Sequence, residues 1–342
     1  MKIVVTFGEI MLRLSPPGFE RLLQSPVLSA TFGGGEANVA VSLAHFGLDS
    51  RYVTRLPASA VGDGALRALR TEGVNVESVL RGGDRIGIYF AETGASQRAG
   101  DVIYDRAGSA LAAAKPGIFD WAQLLAGTDW FHVTGITPAL SPSAAEATLE
   151  AVEAARAAGA RVSIDLNYRR KLWTEEQAQT VMRPLSSRAH VLIANEEDVQ
   201  SCLGLAVPGA DVRSGGLDPA TYRETAVRVA RDFGTELVAI TLRESRSASR
   251  NGWSAVLWDA NAACFHVSPK YDVLLVDRIG GGDSFSAGLI YGLVTGRPPE
   301  EALCFAVAAS ALKQTIPGDF NRVTVGEVDR LVAGDGSGRV RR

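Results

Sequence analysis

The chain has 342 residues, 46% hydrophobic and 21% charged, with a formal net charge of −3. That is the balance of a folded globular protein with a sizeable core, and it offers no broad basic surface for nucleic acid or an anionic membrane. Cys202, Cys264 and Cys304 lie far apart with no CxxC pair, so neither a disulfide framework nor a thiolate zinc site is expected, and a reducing cytoplasm fits.

The chain enters a strand-like run at once, Ile3–Gly8, so neither a signal peptide nor a spanning segment is expected there. Four histidines, His45, His132, His190 and His266, lack metal-ligand spacing and are expected in core or surface roles. Gly33-Gly34-Gly35-Glu36-Ala37-Asn38 then opens a helical pattern through Val39, Val41, Leu43, Ala44 and Phe46. Glycines before a helix let a ligand approach the backbone, and Asn38 carries donors and acceptors suited to hydroxyl groups. The same letters also describe an ordinary helix start with Glu36 in its first turn.

Short β-like segments at Ile86–Glu92 and Asp101–Tyr104, joined by Thr93-Gly94-Ala95-Ser96, break the alternation that follows. With segments near 12–15 and 51–56, they predict a small β-sheet outside the main one, serving as a lid, an oligomer contact or both. Tyr104, Arg106 and, on the partner strand, Tyr89 suit a polar ligand with an anionic end, since arginine pairs bidentately with carboxylates. An exposed edge pair is the competing description.

Further strands are predicted at Trp130–Thr134, Arg161–Leu166, His190–Ala194 and Glu236–Leu242, with helices at Ser143–Ala158, Thr221–Phe233 and Pro298–Gln314. Apolar strands alternating with helices predict βαβ units and a mostly parallel sheet. Ligands of such sheets gather at the carboxyl ends of strands. Three polar groups fall there: Asn167 and Arg169, which share a face if the chain stays extended; Asn195-Glu196-Glu197-Asp198; and Thr241 with Arg243. The acidic group could hold Mg²⁺ or simply begin a helix; Thr241 and Arg243 could touch nucleotide phosphates or head a surface loop over Glu244–Gly252.

Last comes Asp277-Arg278-Ile279-Gly280-Gly281-Gly282-Asp283-Ser284-Phe285, opening a helix through Ala287, Leu289, Ile290 and Leu293. Amides at a helix N-terminus, aided by the helix dipole, make an anion site. A carboxylate at its mouth suits phosphoryl transfer, with Asp283 taking the proton of the attacking hydroxyl; Asp283 as an ordinary N-cap is the bland alternative. No G-x-x-x-x-G-K-[ST] and no G-x-G-x-x-G is present, which removes a P-loop enzyme and leaves a dinucleotide dehydrogenase without its main support. Residues 1–333 are expected to form one α/β domain, and 334–342 a flexible basic tail.

Together these motifs resemble the ribokinase-like carbohydrate kinase family from Gly8 to about Val325, in the family's order, with the nearest likeness to 2-keto-3-deoxygluconate kinases. The run Ile88–Phe90, the segment Ile103–Ser109, Asp165–Arg169 and Asp277–Asp283 carry that likeness. The resemblance implies a three-layer α/β/α fold with a β lid, and transfer of the ATP γ-phosphoryl group to the 6-hydroxyl of 2-keto-3-deoxygluconate. It implies Asp283 as base and Gly280, Gly281 and Gly282 as anion hole. The sugar-acid site would be lined by Gly34, Gly35, Asn38, Tyr89, Tyr104, Arg106, Asn167 and Arg169. Asn195, Thr241, Arg243 and Lys313 would serve ATP, Asp198 would serve Mg²⁺, and a monovalent cation would bind near Asp277. Pairing of the lid strands between subunits would make the protein a homo-oligomer. Asp198 stands where the family usually has Glu, Gly281 where it has Ala, and the stretch after Thr241 lacks the family's glycine-rich loop. A kinase of this fold acting on a neutral sugar or nucleoside, or a non-catalytic sensor, are the alternatives.

Overall fold

A computed structural model describes residues 1–195, 197–206, 219–336 and 338. Strands β1 (Ile3–Phe7), β2 (Met11–Ser15) and β3 (Ser29–Gly33) lead into helix α1 (Gly35–His45) and strand β4 (Asp49–Val53). Short β5 (Arg55–Leu56), α2 (Ala60–Thr71) and β6 (Leu80–Arg81) precede the hairpin of β7 (Gly87–Glu92) and β8 (Asp101–Asp105). Next come α3 (Trp121–Leu124), β9 (Trp130–Thr134), α4 (Ile136–Ala139), α5 (Pro142–Ala157), β10 (Arg161–Asp165) and α6 (Glu175–Ser186). They are followed by β11 (Val191–Asn195), α7 (Asp198–Leu203), α8 (Thr221–Phe233), β12 (Leu237–Ser247), β13 (Arg250–Asp259), β14 (Cys264–Val267) and β15 (Tyr271–Leu274). Helices α9 (Gly281–Val294), α10 (Pro299–Lys313) and α11 (Val325–Val332) close the chain.

Among the described residues the main sheet has nine strands, in the order β14-β13-β12-β11-β10-β9-β1-β4, with β15 also on β13. From β4 to β12 every pairing is parallel; β13 and its neighbours are antiparallel. Neighbouring residues on each strand face opposite layers. Val5, Phe131, Leu192 and Val238 point into a core shared with α5, α6 and α8, whereas Val4, Trp130, Val191 and Leu237 meet α1, α9 and α10. Burial on both faces is why these strands read as unbroken apolar runs, and it produces the expected three-layer α/β/α arrangement. Helices α9 and α10 approach closely because Gly288 and Gly292 face Ala306 and Ala302, with no room for a Cβ at either glycine. No described helix is long and apolar enough to cross a membrane.

A second sheet runs β3-β2-β7-β8. Its strands differ from the expected set, because the segment near 51–56 is not among them: Arg55 and Leu56 pair instead with β6 in a separate two-stranded sheet. Residues 51–53 lie in β4, paired in parallel with β1, with Tyr52 and Val53 fully buried; they belong to the main sheet, and β3 supplies the fourth strand instead. Most of β3 is exposed, so it lacks the apolar alternation that marks a strand. The polar stretch Glu244–Gly252 is likewise not a loop, since β12 runs to Ser247 and turns directly into β13. Of the expected tail, residues 337 and 339–342 lie outside the described residues.

Candidate active site

The carboxyl ends of β1, β9, β10, β11 and β12, the start of α9 and one face of the small sheet surround a cavity of about 350 Å³. All the residues nominated above line it except Lys313. The fold therefore gathers into one place groups far apart in the chain, such as Asn38 and Asp283, which are separated by 245 positions.

At the floor, Gly280 adopts φ 83°, a left-handed conformation that turns the chain into α9. A Cβ there would overlap the Asp319 carbonyl oxygen, whereas one at Gly282 would meet nothing within 4 Å. The Gly281 amide leans on the Arg278 carbonyl at 3.3 Å, and the Ser284 amide donates to Gly280 at 2.9 Å. Between them, the Gly282 and Asp283 amides have no protein acceptor among the described residues, so two donors at the positive end of a helix face the cavity.

Asp283 Oδ2 accepts a 2.7 Å hydrogen bond from Asn38 Nδ2, while Asn38 Oδ1 takes the Gly34 amide at 3.3 Å. Gly34 is required because a Cβ would strike the Glu9 carbonyl. Burial pushes the Asp283 carboxyl up to about 6; the Asn38 bond opposes this, the Asp319 charge adds to it, and Arg169 and Lys313 pull it down. Such a carboxylate is ionised at neutral pH and still basic enough to accept a proton. Glu36, first read as a helix-start residue, is fully buried and accepts from the Thr134 amide and the Thr134 and Thr137 hydroxyls. It anchors α1 to the end of β9 and makes no contact with the cavity.

On the substrate side, Arg169 is exposed to the cavity and binds only the Tyr168 carbonyl, at 3.1 Å. Asn167, beside it, is buried with φ 38°. Arg106 differs from expectation: its guanidinium is paired with buried Glu9, through Nε at 2.8 Å and through Nη2, and Glu9 also accepts from Ser109. Its charge is thereby neutralised, although its side chain still borders the cavity and packs over the Tyr104 ring at 5.4 Å. Tyr89 presents its ring, stacked 5.9 Å from Tyr104, while its hydroxyl donates to Asp319 at 2.6 Å. Arg13 joins the same network, bridging Asp319 at 2.7 Å and Asp277 at 2.6 Å.

On the opposite side, Asn195 and Asp198 cap one another. Asn195 Oδ1 accepts the Glu197 and Asp198 amides, and Asp198 accepts the Asn195 and Tyr168 amides, all within 2.8–3.0 Å. This reciprocal pattern is the capping box, which demands an i, i+3 spacing. Both Asp198 oxygens are thus already engaged; Glu196 lies outside the described residues. Thr241 donates to the Ala194 carbonyl at 3.3 Å. Arg243 and Arg278 both reach the cavity and have no ion-pair partner among the described residues; burial and the Arg243 charge push the Arg278 pKa down. Asn251, with its amide turned to satisfy its neighbours, accepts from Arg278 at 3.1 Å. Two unpaired guanidiniums side by side suit a polyanion.

No group of three or more acidic, histidine or cysteine side chains forms a metal cage among the described residues. Carboxylates are nevertheless crowded: burial and the charges of Asp198 and Asp283 push Asp165 well above the usual range. This arrangement fits a Mg²⁺ that is held mainly by phosphate oxygens and water, with protein carboxylates at a distance. Lys313 is a plain correction. It is fully buried and turned away from the cavity, its ammonium spent on the carbonyls of Asp277, Ile279 and Gly318. Glu9, Arg13, Arg278 and Asp319 were not nominated, although Arg278 stood inside the glycine motif and Glu9 follows the end of β1.

The pfkB family carbohydrate kinase model matches residues 1–321. The 2-dehydro-3-deoxygalactonokinase of Haloferax volcanii is 35% identical over 337 residues, covering 98% of each chain. Among solved structures, 2-dehydro-3-deoxygluconokinase from Thermotoga maritima is 47% identical, with a TM-score of 0.93 over 98% of this chain and 100% of that one. A putative ribokinase II from E. coli, 19% identical, gives a TM-score of 0.78 over 97% of this chain and 99% of that one, which marks the fold as ribokinase-like.

Proposed function

We propose, from the premise that this chain belongs to the pfkB family of ATP-dependent carbohydrate kinases, that it transfers the γ-phosphoryl group of ATP to the 6-hydroxyl of 2-keto-3-deoxygluconate. The observation that carries the reading is the Asn38–Asp283 hydrogen bond of 2.7 Å in front of the unpaired α9 amides, in a cavity that also holds a free Arg169.

In this mechanism Arg169, Asn167 and the Tyr104 hydroxyl bind the keto-acid end, and the sugar extends toward Asn38, Gly34 and Gly35. Asn38 fixes the Asp283 carboxylate, which takes the proton of the 6-hydroxyl as its oxygen bonds to the γ-phosphorus. The bond to the bridging oxygen breaks, and ADP departs with the electron pair. The Gly282 and Asp283 amides hold the phosphoryl oxygens during transfer, a positioning and charge-stabilising role. Arg243, Arg278, Asn195 and Thr241 line the nucleotide side. Mg²⁺, when bound with ATP, neutralises phosphate charge, and Asp165 and Asp198 would hold it through water. The small sheet covers the substrate as a lid and joins copies into a homo-oligomer, and the enzyme works in the cytoplasm; sedimentation of variants with charged outer lid residues tests the assembly.

The galacto epimer is the second reading, because the Haloferax volcanii relative is named for it. Coupled ADP release decides between substrates: 2-keto-3-deoxygluconate, its galacto epimer, ribose, fructose and a nucleoside at matched concentrations. A kcat/KM for the keto-acids well above that of the neutral sugars is expected. Preference for a neutral sugar would overturn the substrate assignment, and the ratio between epimers selects one of the two acids.

A further inference from the structure

We propose that Lys313 is a tethered cation seated beneath the glycine loop, where it takes the place of a free monovalent ion and sets the loop without potassium or sodium. The inference rests on reading Asp283 and its loop as the site of phosphoryl transfer. It also replaces two expectations at once, the nucleotide role of Lys313 and the ion near Asp277.

The geometry is that of a cation seat. Carbonyl oxygens of Asp277 (3.2 Å), Ile279 and Gly318 (2.7 Å) converge on Nζ. Three converging carbonyls repel one another unless a positive charge lies between them, which is how backbone oxygens replace the hydration shell of a potassium ion. An ammonium has three donors and no acceptor, so the match is complete and no donor is left over. The stem rises from the last turn of α10, and Cε lies 3.2 Å from where a Gly280 Cβ would be, directly under the turn that begins α9. The neighbouring Gln314 carbonyl accepts the Val276 and Asp277 amides at 2.9 and 3.2 Å, clipping the same loop to the same helix end.

Charge balance points the same way. Arg13 and Lys313 carry two positive charges against the carboxylates of Asp277 and Asp319, both bridged by Arg13. An additional monovalent ion would add an uncompensated charge to a buried site. Burial and, less strongly, the Arg13 charge draw the Lys313 pKa down, and the charges of Asp277, Asp319 and Asp283 oppose that. The interaction is mutual, since Lys313 lowers the pKa of Asp283. Lys313 is therefore a positioning residue for the loop and an electrostatic support for the base.

The test compares potassium chloride with tetramethylammonium chloride at fixed ionic strength. Wild-type turnover, by ADP release with its best substrate, is expected to agree within about twofold between the two salts, and its Tm should not differ. Lys313→Ala vacates the seat: turnover should fall at least about tenfold in tetramethylammonium, recover at least about fivefold in potassium or ammonium, and Tm should rise with potassium. Lys313→Met keeps the stem but not the charge, so it should lose turnover, resist rescue and shift the acid limb of its pH profile upward. A potassium requirement in the wild type overturns the proposal, as does a folded Lys313→Ala variant that is fully active or that neither salt rescues. Tm needs no substrate, so it decides this question even if no sugar is phosphorylated; absence of all turnover would count against the kinase reading instead.

Discussion

Replacing Asp283 with Asn should make the protein inactive and more stable, and the two effects have one cause. The folded protein holds this carboxyl at about 6 against an ordinary 3.8, so keeping it ionised costs about 3 kcal/mol at pH 8. The sign follows from the raised value. The group's favourable contribution is complete below 3.8 and is lost as pH rises through about 6. Asparagine keeps an oxygen for the Asn38 amide to bond but carries no charge, so the variant should gain up to about 3 kcal/mol at pH 8 and about half of that at pH 5. For a chain of this length 3 kcal/mol is a Tm increase of about 4 °C. Turnover should fall by about 10²–10⁴, as removal of a general base does. Thermal unfolding at both pH values, together with ADP release at saturating substrate, provides the check. A kcat within tenfold of wild type would refute the base assignment, and a gain equal at both pH values would refute its electrostatic origin.

Other outcomes follow from the same geometry. Because Asp283 must be ionised to accept a proton, kcat should decline below about pH 6 with unit slope; a flat profile to pH 4 would contradict it. Arg169→Ala should raise KM for the keto-acid by about 10–100-fold, the value of a charged hydrogen bond, and scarcely affect an uncharged analogue; equal effects on both would exclude a carboxylate contact. Arg106→Ala should act chiefly on folding, costing about 3–5 kcal/mol in denaturant titrations by leaving Glu9 buried and unpaired. A large change in KM with unaltered stability would return Arg106 to the substrate. Gly280→Ala, at φ 83° and against the Asp319 carbonyl, should lower both Tm and turnover, whereas Gly282→Ala should fold normally; equal stability of the two would argue against the turn geometry.

Much of the fold was legible because strands buried on two faces leave long apolar runs. Trp130–Thr134 and the helix Thr221–Phe233 emerge with the same ends in both readings. Cavity-lining residues were legible where a strand or glycine turn leaves a polar group at a predictable end, as with Asn167, Thr241 and Asp283. What escaped depends on partners distant in sequence. Arg106 looks like a free arginine until Glu9, 97 positions away, is seen against it. Lys313 looks like a nucleotide contact until the carbonyls around it are counted, and backbone oxygens carry no signature in a string of letters. The small sheet was read with a wrong member because β3, mostly exposed, has no hydrophobic alternation to announce it.

Arg13 sits on β2 of the small sheet and clasps one carboxylate from each side of the loop beneath it, Asp277 and Asp319, while Tyr89 on β7 holds the second. Met11, Tyr89 and Ile279 pack together around the same junction. The small sheet and the turn that opens α9 are consequently riveted together through buried ion pairs, so that a shift in one must be felt by the other.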